Sequence, residues 1–122
     1  MKLLCLDMDG VLIDVENFWL KVHEAFGTMD EGKLLTDMYL HTDYEKLVSE
    51  VVGKLWKNHS SRKYEELVRS LQLMDGVKEL FAFAKENDFY TVIIGGGSLD
   101  VAKLVQEKFG VDEIHANELV IE

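Results

Sequence analysis

Two acidic residues stand one residue apart directly after the first apolar segment of the chain. They are Asp7 and Asp9, in the stretch Asp7-Met8-Asp9-Gly10, where Gly10 lets the chain turn. A carboxylate pair at this spacing can divide the work of a reaction, because one group can attack or bind a cation while the other exchanges a proton with the leaving group. The alternative is an ordinary turn, since Asp and Gly are common turn residues. The position after an apolar strand favours the chemical interpretation.

A second polar segment also follows a strand-like run. Residues 89–94 are aromatic and β-branched and predict a strand, and the glycine run 95–97 comes directly after them. The backbone N–H groups of such a run, together with a helix N-terminus that Ser98 can cap, are able to hold a phosphate or another anion. A flexible turn is the alternative. A dinucleotide motif is not indicated, because it would need glycine where the chain has Asp100.

Strands and helices alternate around these two segments. Residues 2–6 predict a buried parallel strand that includes Cys5, and residues 114–116 and 119–121 are shorter strand candidates. Helices are expected after Gly76 and between Ser98 and a terminating Gly110. This order predicts an α/β fold with a partial doubly wound, Rossmann-like parallel sheet. Ligands of such sheets bind beyond the carboxyl ends of the strands, so we expect the two polar segments to share one edge.

Helical periodicity fills the region after the first strand. An apolar stripe runs from Val15 to Phe26, and a capping box at 42–45, with Thr at the N-cap and Glu three residues later, opens a helix that reaches Trp56. Residues 64–71 predict a further amphipathic helix, whereas 30–40 fit either a short helix or a loop. We therefore expect a helical cap over residues 15–73, inserted into an incomplete α/β core made of residues 1–14 and 74–122.

The composition narrows the functional classes. The chain has 122 residues, the length of one domain, and a formal net charge of -10, which disfavours nucleic acid and anionic membrane surfaces as partners. No apolar stretch approaches the length that a transmembrane helix needs. A single Cys allows no internal disulfide, and this favours a cytoplasmic protein. The four His residues are scattered, so a zinc site is not indicated, and we expect surface histidines or histidines whose hydrogen bonds are satisfied.

The two polar segments together resemble a known family. Residues 4–12, Leu-Cys-Leu-Asp-Met-Asp-Gly-Val-Leu, closely resemble the first motif of the haloacid dehalogenase superfamily of phosphatases. Residues 92–97 resemble the strand and loop of its second motif, and the helical insert resembles its cap domain. Residues 117–119, Asn-Glu-Leu, resemble a stretch of phosphoserine-phosphatase-like members. The resemblance covers the whole chain.

The resemblance implies a Mg²⁺-dependent phosphomonoester hydrolase that acts on a small phosphorylated metabolite. Asp7 would be the nucleophile that forms an aspartyl-phosphate, and Asp9 would protonate the leaving alcohol and then activate water. The Asp7 carboxylate and the Asp9 backbone carbonyl would bind the Mg²⁺. Gly10, Gly95 and Gly96 would contribute to phosphate binding.

Glu16 and three departures from the family pattern bear on the substrate and on turnover. Glu16 falls where phosphoserine phosphatases recognise the amino group of their substrate, although a solvated residue in a first helical turn explains it equally well. Gly95 stands where the family has Ser or Thr, and the helix after 42–45 carries Lys but no substrate-binding Arg. The sequence also stops at Glu122, before the family's phosphate-neutralising Lys and its further acidic metal ligands.

These departures leave two functional hypotheses, beside the possibility that the chain is a fragment whose remainder is encoded separately. The first is an active phosphatase, and the alternative is a catalytically degenerate relative that acts as a dimeric module for anion binding or interaction. Because the family usually adds strands beyond the first one, residues 2–6 should form an exposed edge. We therefore expect self-association, or a partner that supplies the missing part.

Overall fold

The computed structural model describes residues 1–120 of the 122-residue chain. Three strands are present, β1 (Lys2–Leu6), β2 (Phe89–Ser98) and β3 (Glu113–Asn117). The α-helices are α1 (Phe18–Phe26), α2 (Met29–Tyr39), α3 (Tyr44–Glu50), α4 (Ser61–Ser70), α5 (Val77–Glu86) and α6 (Leu99–Phe109), and a π-helical segment (Val51–Leu55) continues α3. The predicted α/β class with a partial parallel sheet is confirmed.

The sheet has the order β1-β2-β3, with both neighbouring pairs parallel. Lys2 pairs with Phe89 and Leu6 with Ile93, so β1 and β2 run side by side and the chain leaves both at the same edge. Within residues 1–120, β1 has β2 as its single neighbour and is an edge strand, as expected.

Two strand predictions need correction. The expected burial of residues 2–6 is wrong, since Cys5 is exposed and Leu3 is 57% exposed. These alternate residues share one face of β1, and α5 and α6 pack against β2. Residues 114–116 do lie in β3, but residues 119 and 120 are not in a strand. Ile121, the last residue of that candidate, lies outside the described residues.

The chain divides into two compact units. Unit 1 combines Met1–Phe18 with the described residues from Val68 onward, and unit 2 is Trp19–Leu67. Unit 1 contains the whole sheet, and unit 2 is entirely helical. The boundaries lie within the predicted 15–73 insert, and α1 and α4 each cross one of them. That unit 2 acts as a cap stays a prediction.

The core of unit 1 forms where α5 and α6 cover the sheet. The aromatic rings of Phe81 on α5 and Phe109 at the end of α6 stack with their centroids 4.8 Å apart. Val101 and Val105 on α6 and Ile93 on β2 are buried. Both predicted ends of α6 are confirmed, since the Ser98 hydroxyl accepts from the Asp100 N–H and Gly110 closes the helix in a left-handed conformation.

Unit 2 differs from the sequence-based expectation in its helix ends. The N-cap of α3 is Asp43, whose carboxylate accepts from the Lys46 N–H at 3.1 Å, and the expected capping by Thr42 is wrong. The Thr42 hydroxyl instead donates to the Met38 carbonyl in the preceding turn. Residues 30–40 are largely helical, in α2, and α1 begins at Phe18, later than the apolar stripe from Val15 indicates.

None of the helices within residues 1–120 combines the length and the apolar composition that a membrane-spanning helix needs.

Candidate active site

The chain turns tightly where β1 ends. The Met8 carbonyl accepts hydrogen bonds from the N–H groups of Leu12 at 2.9 Å and Ile13 at 3.0 Å. Gly10 lies in this turn with φ at +74°, a conformation that side chains other than glycine rarely adopt, and its N–H donates to the Ile13 carbonyl. These bonds give the two acidic residues a rigid backbone.

A second segment of unit 1 holds the turn in place. The Asp14 N–H donates to the Gln72 carbonyl at 2.8 Å, and the Met74 N–H donates to the Leu12 carbonyl at 2.9 Å. The side chains of Met8 and Leu12 are fully buried below the turn. The acidic residues are therefore anchored by hydrogen bonds on one side and by packing on the other.

The two carboxylates have different environments. Asp7 is exposed, and its Oδ1 accepts from the Met8 N–H at 2.7 Å. Asp9 is half-buried, and its Oδ2 accepts from the N–H of Phe18, the first residue of α1, at 2.9 Å. The Asp9 Oδ1 is buried and has no hydrogen-bond partner among the described residues. One carboxylate thus faces solvent, whereas the other has a buried oxygen with an unused lone pair.

The difference in burial affects protonation. Burial raises the pKa of Asp9 above its ordinary value, the hydrogen bond from the Phe18 N–H lowers it, and the negative charge of Asp7 raises it. The net effect is a raised pKa. A carboxyl group of this kind retains a proton more readily than an exposed one and is suited to proton transfer.

The glycine run lies in β2 instead of in a turn, which corrects the expectation for this segment. The strand extends to Ser98, and its register with β3 shifts between Ile94 and Ser98. Alternate residues of an extended strand share a face. A Cβ at Gly95 would lie 2.8 Å from the Asp7 Oδ1, and one at Gly97 would lie 2.9 Å from the Asp9 Oδ1. Each carboxylate therefore packs against a bare glycine of β2.

Gly96 alternates with these two glycines and has a different environment. A Cβ there would meet nothing within 4 Å, and the Gly96 carbonyl accepts from the Asn117 side-chain amide at 3.0 Å. Gly10 already uses its N–H within the turn, and Glu16 is exposed before α1. The phosphate-binding roles of Gly10, Gly95 and Gly96 and the substrate-binding role of Glu16 remain predictions.

The structure brings Asp7 close to Gly95 and Asp9 close to Gly97, so the acidic pair and the glycine run lie together, as the strand order predicts. It adds one group that the sequence analysis missed, the N–H of Phe18. The sequence analysis did not separate Gly97 from Gly96, although continuing the strand through the run would have done so, because positions 95 and 97 then share a face. The Phe18 N–H depends on the helix start, which the apolar stripe misplaced.

The oxygen donors here suit a Mg²⁺ ion that keeps several water ligands. Mg²⁺ is commonly bound by one or two carboxylates together with substrate phosphate. Asp7 would supply a carboxylate and Asp9 its backbone carbonyl, and the unpartnered Asp9 Oδ1 indicates a polar group that the described residues do not satisfy. The described residues contain no cluster of three or more His, Cys, Asp or Glu residues able to hold a metal.

A cavity lies away from this pair. Its volume is about 480 Å³, and its lining includes Phe89 at the start of β2, Asp112 before β3, and the aromatic rings of Phe81 and Phe109. Neither Asp7 nor Asp9 lines it. We place the chemistry at the carboxylate pair, because in parallel sheets the reactive groups follow the carboxyl ends of the strands.

The contact between Asp7 and Gly95 makes a substitution prediction. We expect Gly95→Ala to displace the Asp7 carboxylate and to lower any reaction that depends on it by about 10- to 100-fold, because small misplacements of reacting groups are costly. Gly53→Ala is the control, since a Cβ there meets nothing within 4 Å. The measurement is the rate of phosphate release from a phosphomonoester. An unchanged rate in Gly95→Ala would show that the Asp7 position is not critical.

The fold and this site together define a doubly wound α/β protein with an acidic pair at the carboxyl edge of its sheet. Proteins of known function are similar to this chain in sequence. A phosphoserine phosphatase of Wolinella succinogenes is 30% identical over 120 residues, which cover 96% of this chain and 57% of that protein. One of Methanocaldococcus jannaschii is 25% identical over 122 residues, covering 98% of this chain and 57% of that protein. No family model matches the chain.

Solved structures share the fold. A structure of the phospho-aspartyl intermediate analogue of phosphoserine phosphatase matches with a TM-score of 0.81 and 23% identity, over 99% of this chain and 58% of that one. A substrate-bound phosphoserine phosphatase complex also matches with a TM-score of 0.81, at 22% identity, over 100% of this chain and 59% of that one. Both likenesses extend over nearly the whole chain.

The predicted resemblance is confirmed: the chain is similar in sequence to phosphoserine phosphatases and shares the fold of solved phosphoserine phosphatase structures. It spans 40% to 57% of the length of the curated relatives that it matches. Its activity, substrate and partners are therefore matters for proposal.

Proposed function

We propose that the chain is a Mg²⁺-dependent phosphomonoester hydrolase in which Asp7 is the nucleophile. The observation that supports this most directly is the placement of Asp7 and Asp9 on one rigid turn, each against a glycine of the neighbouring strand. The exposed carboxylate has access to a phosphate group, and the half-buried one has the environment of a proton carrier. The similarity to phosphoserine phosphatases supports the same reaction class.

The reaction would proceed in two steps. An Asp7 carboxylate oxygen attacks phosphorus, an O–P bond to Asp7 forms, the P–O bond to the substrate breaks, and Asp9 donates a proton to the departing alkoxide. Water then attacks the phosphorus of the aspartyl-phosphate while Asp9 accepts a proton from it. Inorganic phosphate leaves, and Asp7 returns to its carboxylate form. Asp9 is protonated in the first step and ionised in the second, so its two roles are compatible.

A Mg²⁺ ion would be held by the Asp7 carboxylate and the Asp9 backbone carbonyl. Such an ion supplies positive charge that offsets the carboxylates and the incoming phosphate. The chain's own contribution is to fix the positions of the ligands through the turn at Met8 and Gly10.

The substrate class that we propose is a small phosphorylated metabolite. Glu16 follows the acidic turn and is exposed, so its carboxylate is available to an amino group of such a substrate. Phosphoserine is one member of this class, and the sequence lacks the Arg that the family uses to bind it in the helix after 42–45. A degenerate module that only binds anions is not favoured, because both acidic residues are kept in an ordered arrangement.

The test of this function is the release of inorganic phosphate from a small phosphomonoester by the purified 122-residue chain with Mg²⁺. We expect turnover that stops when EDTA removes the metal and returns when Mg²⁺ is added. A chain that folds but releases no phosphate under these conditions would contradict the proposal.

We also propose that the chain is cytoplasmic and forms a homo-oligomer through the open edge of β1. Leu3 is 57% exposed on this strand, and Ile94 on β2 is 55% exposed. Unpaired edge strands with apolar side chains are templates for pairing with another chain. The other edge strand, β3, carries Glu113 and His115, which are exposed and polar, so β1 is the more suitable edge for a second copy.

Light scattering at micromolar concentration measures this association. We expect a mass of at least two chains, and a lower mass for Leu3→Lys, because a charged side chain on an edge strand opposes pairing. The control is Lys103→Arg at an exposed position of α6, because this change adds no apolar group. A mass of one chain for the unmodified protein would overturn the proposal.

A further inference from the structure

A polar cluster lies inside the otherwise apolar interior of unit 2. His23 on α1 is only 4% exposed, and its Nδ1 lies 2.8 Å from the hydroxyl of Thr28. The indole N–H of Trp56 points at both, with its nitrogen 3.2 Å from the His23 Nδ1 and 3.2 Å from the Thr28 Oγ1. These three side chains, which we call the His23 cluster, come from separate parts of the helical unit.

The donors in this cluster determine which nitrogen of His23 carries the proton. An indole N–H can only donate, and that of Trp56 has two acceptors at 3.2 Å, the His23 Nδ1 and the Thr28 Oγ1. The Thr28 hydroxyl can donate to the same Nδ1. We assign the proton of the neutral ring to Nε2, because its Nδ1 then accepts from both neighbours.

The imidazole has little room to move away. A Cβ at Gly32 on α2 would lie 2.6 Å from the His23 Nδ1 and 2.6 Å from its Nε2, so the ring packs directly on the glycine backbone. On the other side the Trp56 ring lies 4.8 Å from it between centroids. A change in the charge of His23 therefore acts on Trp56 and Thr28 more than on the position of the ring.

The charged and titratable surroundings of His23 are few. Glu31 on α2 is the charged group that acts on it, and its negative charge raises the pKa of His23. Burial acts in the opposite direction and is the larger effect, so the pKa of His23 is lowered. Trp56, which follows the π-helix, is uncharged. The ring of His59 stacks on the ring of Phe26.

We propose that the His23 cluster is an acid-sensitive latch of the helical unit. Its hydrogen bonds hold Trp56 in place when His23 is neutral, and the bond from the indole to Nδ1 is lost when a proton from solvent binds at that nitrogen. The new N–H takes the lone pair that the Trp56 indole used, so two donors face each other at 3.2 Å. The Thr28 Oγ1, 2.8 Å from the Nδ1 and 3.2 Å from the indole nitrogen, can accept from both donors, but the hydroxyl then no longer donates to Nδ1. The Trp56 indole keeps one of its two acceptors and faces a positive charge, which weakens its hold within the aromatic contacts to Trp19 and Phe26.

The direction of the pH effect follows from the lowered pKa. The unfolded chain, where His has its ordinary pKa of 6.5, binds more protons than the folded chain between that pH and the lowered folded-state pKa. The latch therefore contributes its full stability above 6.5. The contribution is lost as the pH falls from 6.5 through the folded-state pKa, and it does not recover at lower pH.

The decisive measurement is nuclear magnetic resonance of the full 122-residue chain, from about pH 8 to about pH 4.5. We expect ¹⁵N shifts that report the Nε2–H form of His23 at high pH, and a midpoint below 6.5 for its titration. The indole N–H signal of Trp56 should shift with that same midpoint. In His23→Gln, whose carbonyl can accept from the indole without titrating, this shift should be absent.

Two results would overturn the latch. One is an Nδ1–H form of neutral His23, and the other is a Trp56 indole signal that does not respond while His23 titrates. Both are read from the unmodified chain, so they remain decisive if His23→Gln fails to fold. Neither measurement depends on phosphatase activity.

Discussion

Replacing Asp7 with Asn is expected to lower phosphate release from a small phosphomonoester by about 10³-fold or more, because an amide cannot replace a carboxylate as the attacking group. The change is almost isosteric. Asp7 is exposed, and the oxygen that accepts from the Met8 N–H has a counterpart in the Asn side chain. The turn after β1 should therefore be retained. A loss of activity would then measure the chemistry of the carboxylate instead of a loss of fold.

The control for this variant is Asp75→Asn, the same chemical change at an exposed turn residue before α5. We expect the control to keep the rate of the unmodified chain and Asp7→Asn to keep the same circular dichroism spectrum. Phosphate release by Asp7→Asn at the rate of the control would overturn the role of Asp7 as nucleophile. Release that is absent from all three proteins would instead contradict the proposed function.

The position of the acidic pair could be predicted because it depends on a strong local signal. Residues 2–6 form an uninterrupted apolar run, and polar residues follow it at once, so the end of β1 was clear. The parallel order of the strands then places the end of β2 at the same edge. The fold class and the meeting of Asp7 with Gly95 both follow from this reasoning.

The glycine run could not be assigned by the same means. Glycine is compatible with both a turn and an extended strand, so local propensity does not choose between them. The structure keeps Gly95, Gly96 and Gly97 extended, with an irregular register against β3 and the carboxylates of unit 1 packed on one face. This choice depends on contacts with Asp7 and Asp9, which are distant in sequence.

Burial of β1 and capping of α3 were mispredicted for related reasons. An apolar strand indicates burial only when neighbours cover both of its sides, and the number of neighbours is not encoded within Lys2–Leu6. At α3, Thr42 and Asp43 are both good N-cap residues. The Thr42 hydroxyl is already bonded to the last turn of the previous helix, so Asp43 takes the cap.

Replacing Gly32 with Ala is expected to destabilise the helical unit by about 1–3 kcal/mol, the usual cost of overpacking a filled interior. The new methyl group would overlap the imidazole ring of His23. That ring is held by hydrogen bonds to Thr28 and Trp56, which oppose its displacement. Ala would favour the helix by about 0.5–1 kcal/mol relative to Gly, which only partly offsets the clash. The measurement is the midpoint of urea unfolding, followed by tryptophan fluorescence.

The matched control is Gly53→Ala in the π-helical segment, where a Cβ meets nothing within 4 Å and the same helical preference acts without a clash. We expect that variant to be as stable as the unmodified chain or slightly more stable. A second test separates the clash from other effects of the methyl group: in a His23→Ala background, the Gly32→Ala cost should shrink, because the ring that the methyl group meets is gone. If Gly32→Ala costs the same with and without the ring, the close packing of His23 on α2 is not what requires glycine at this position.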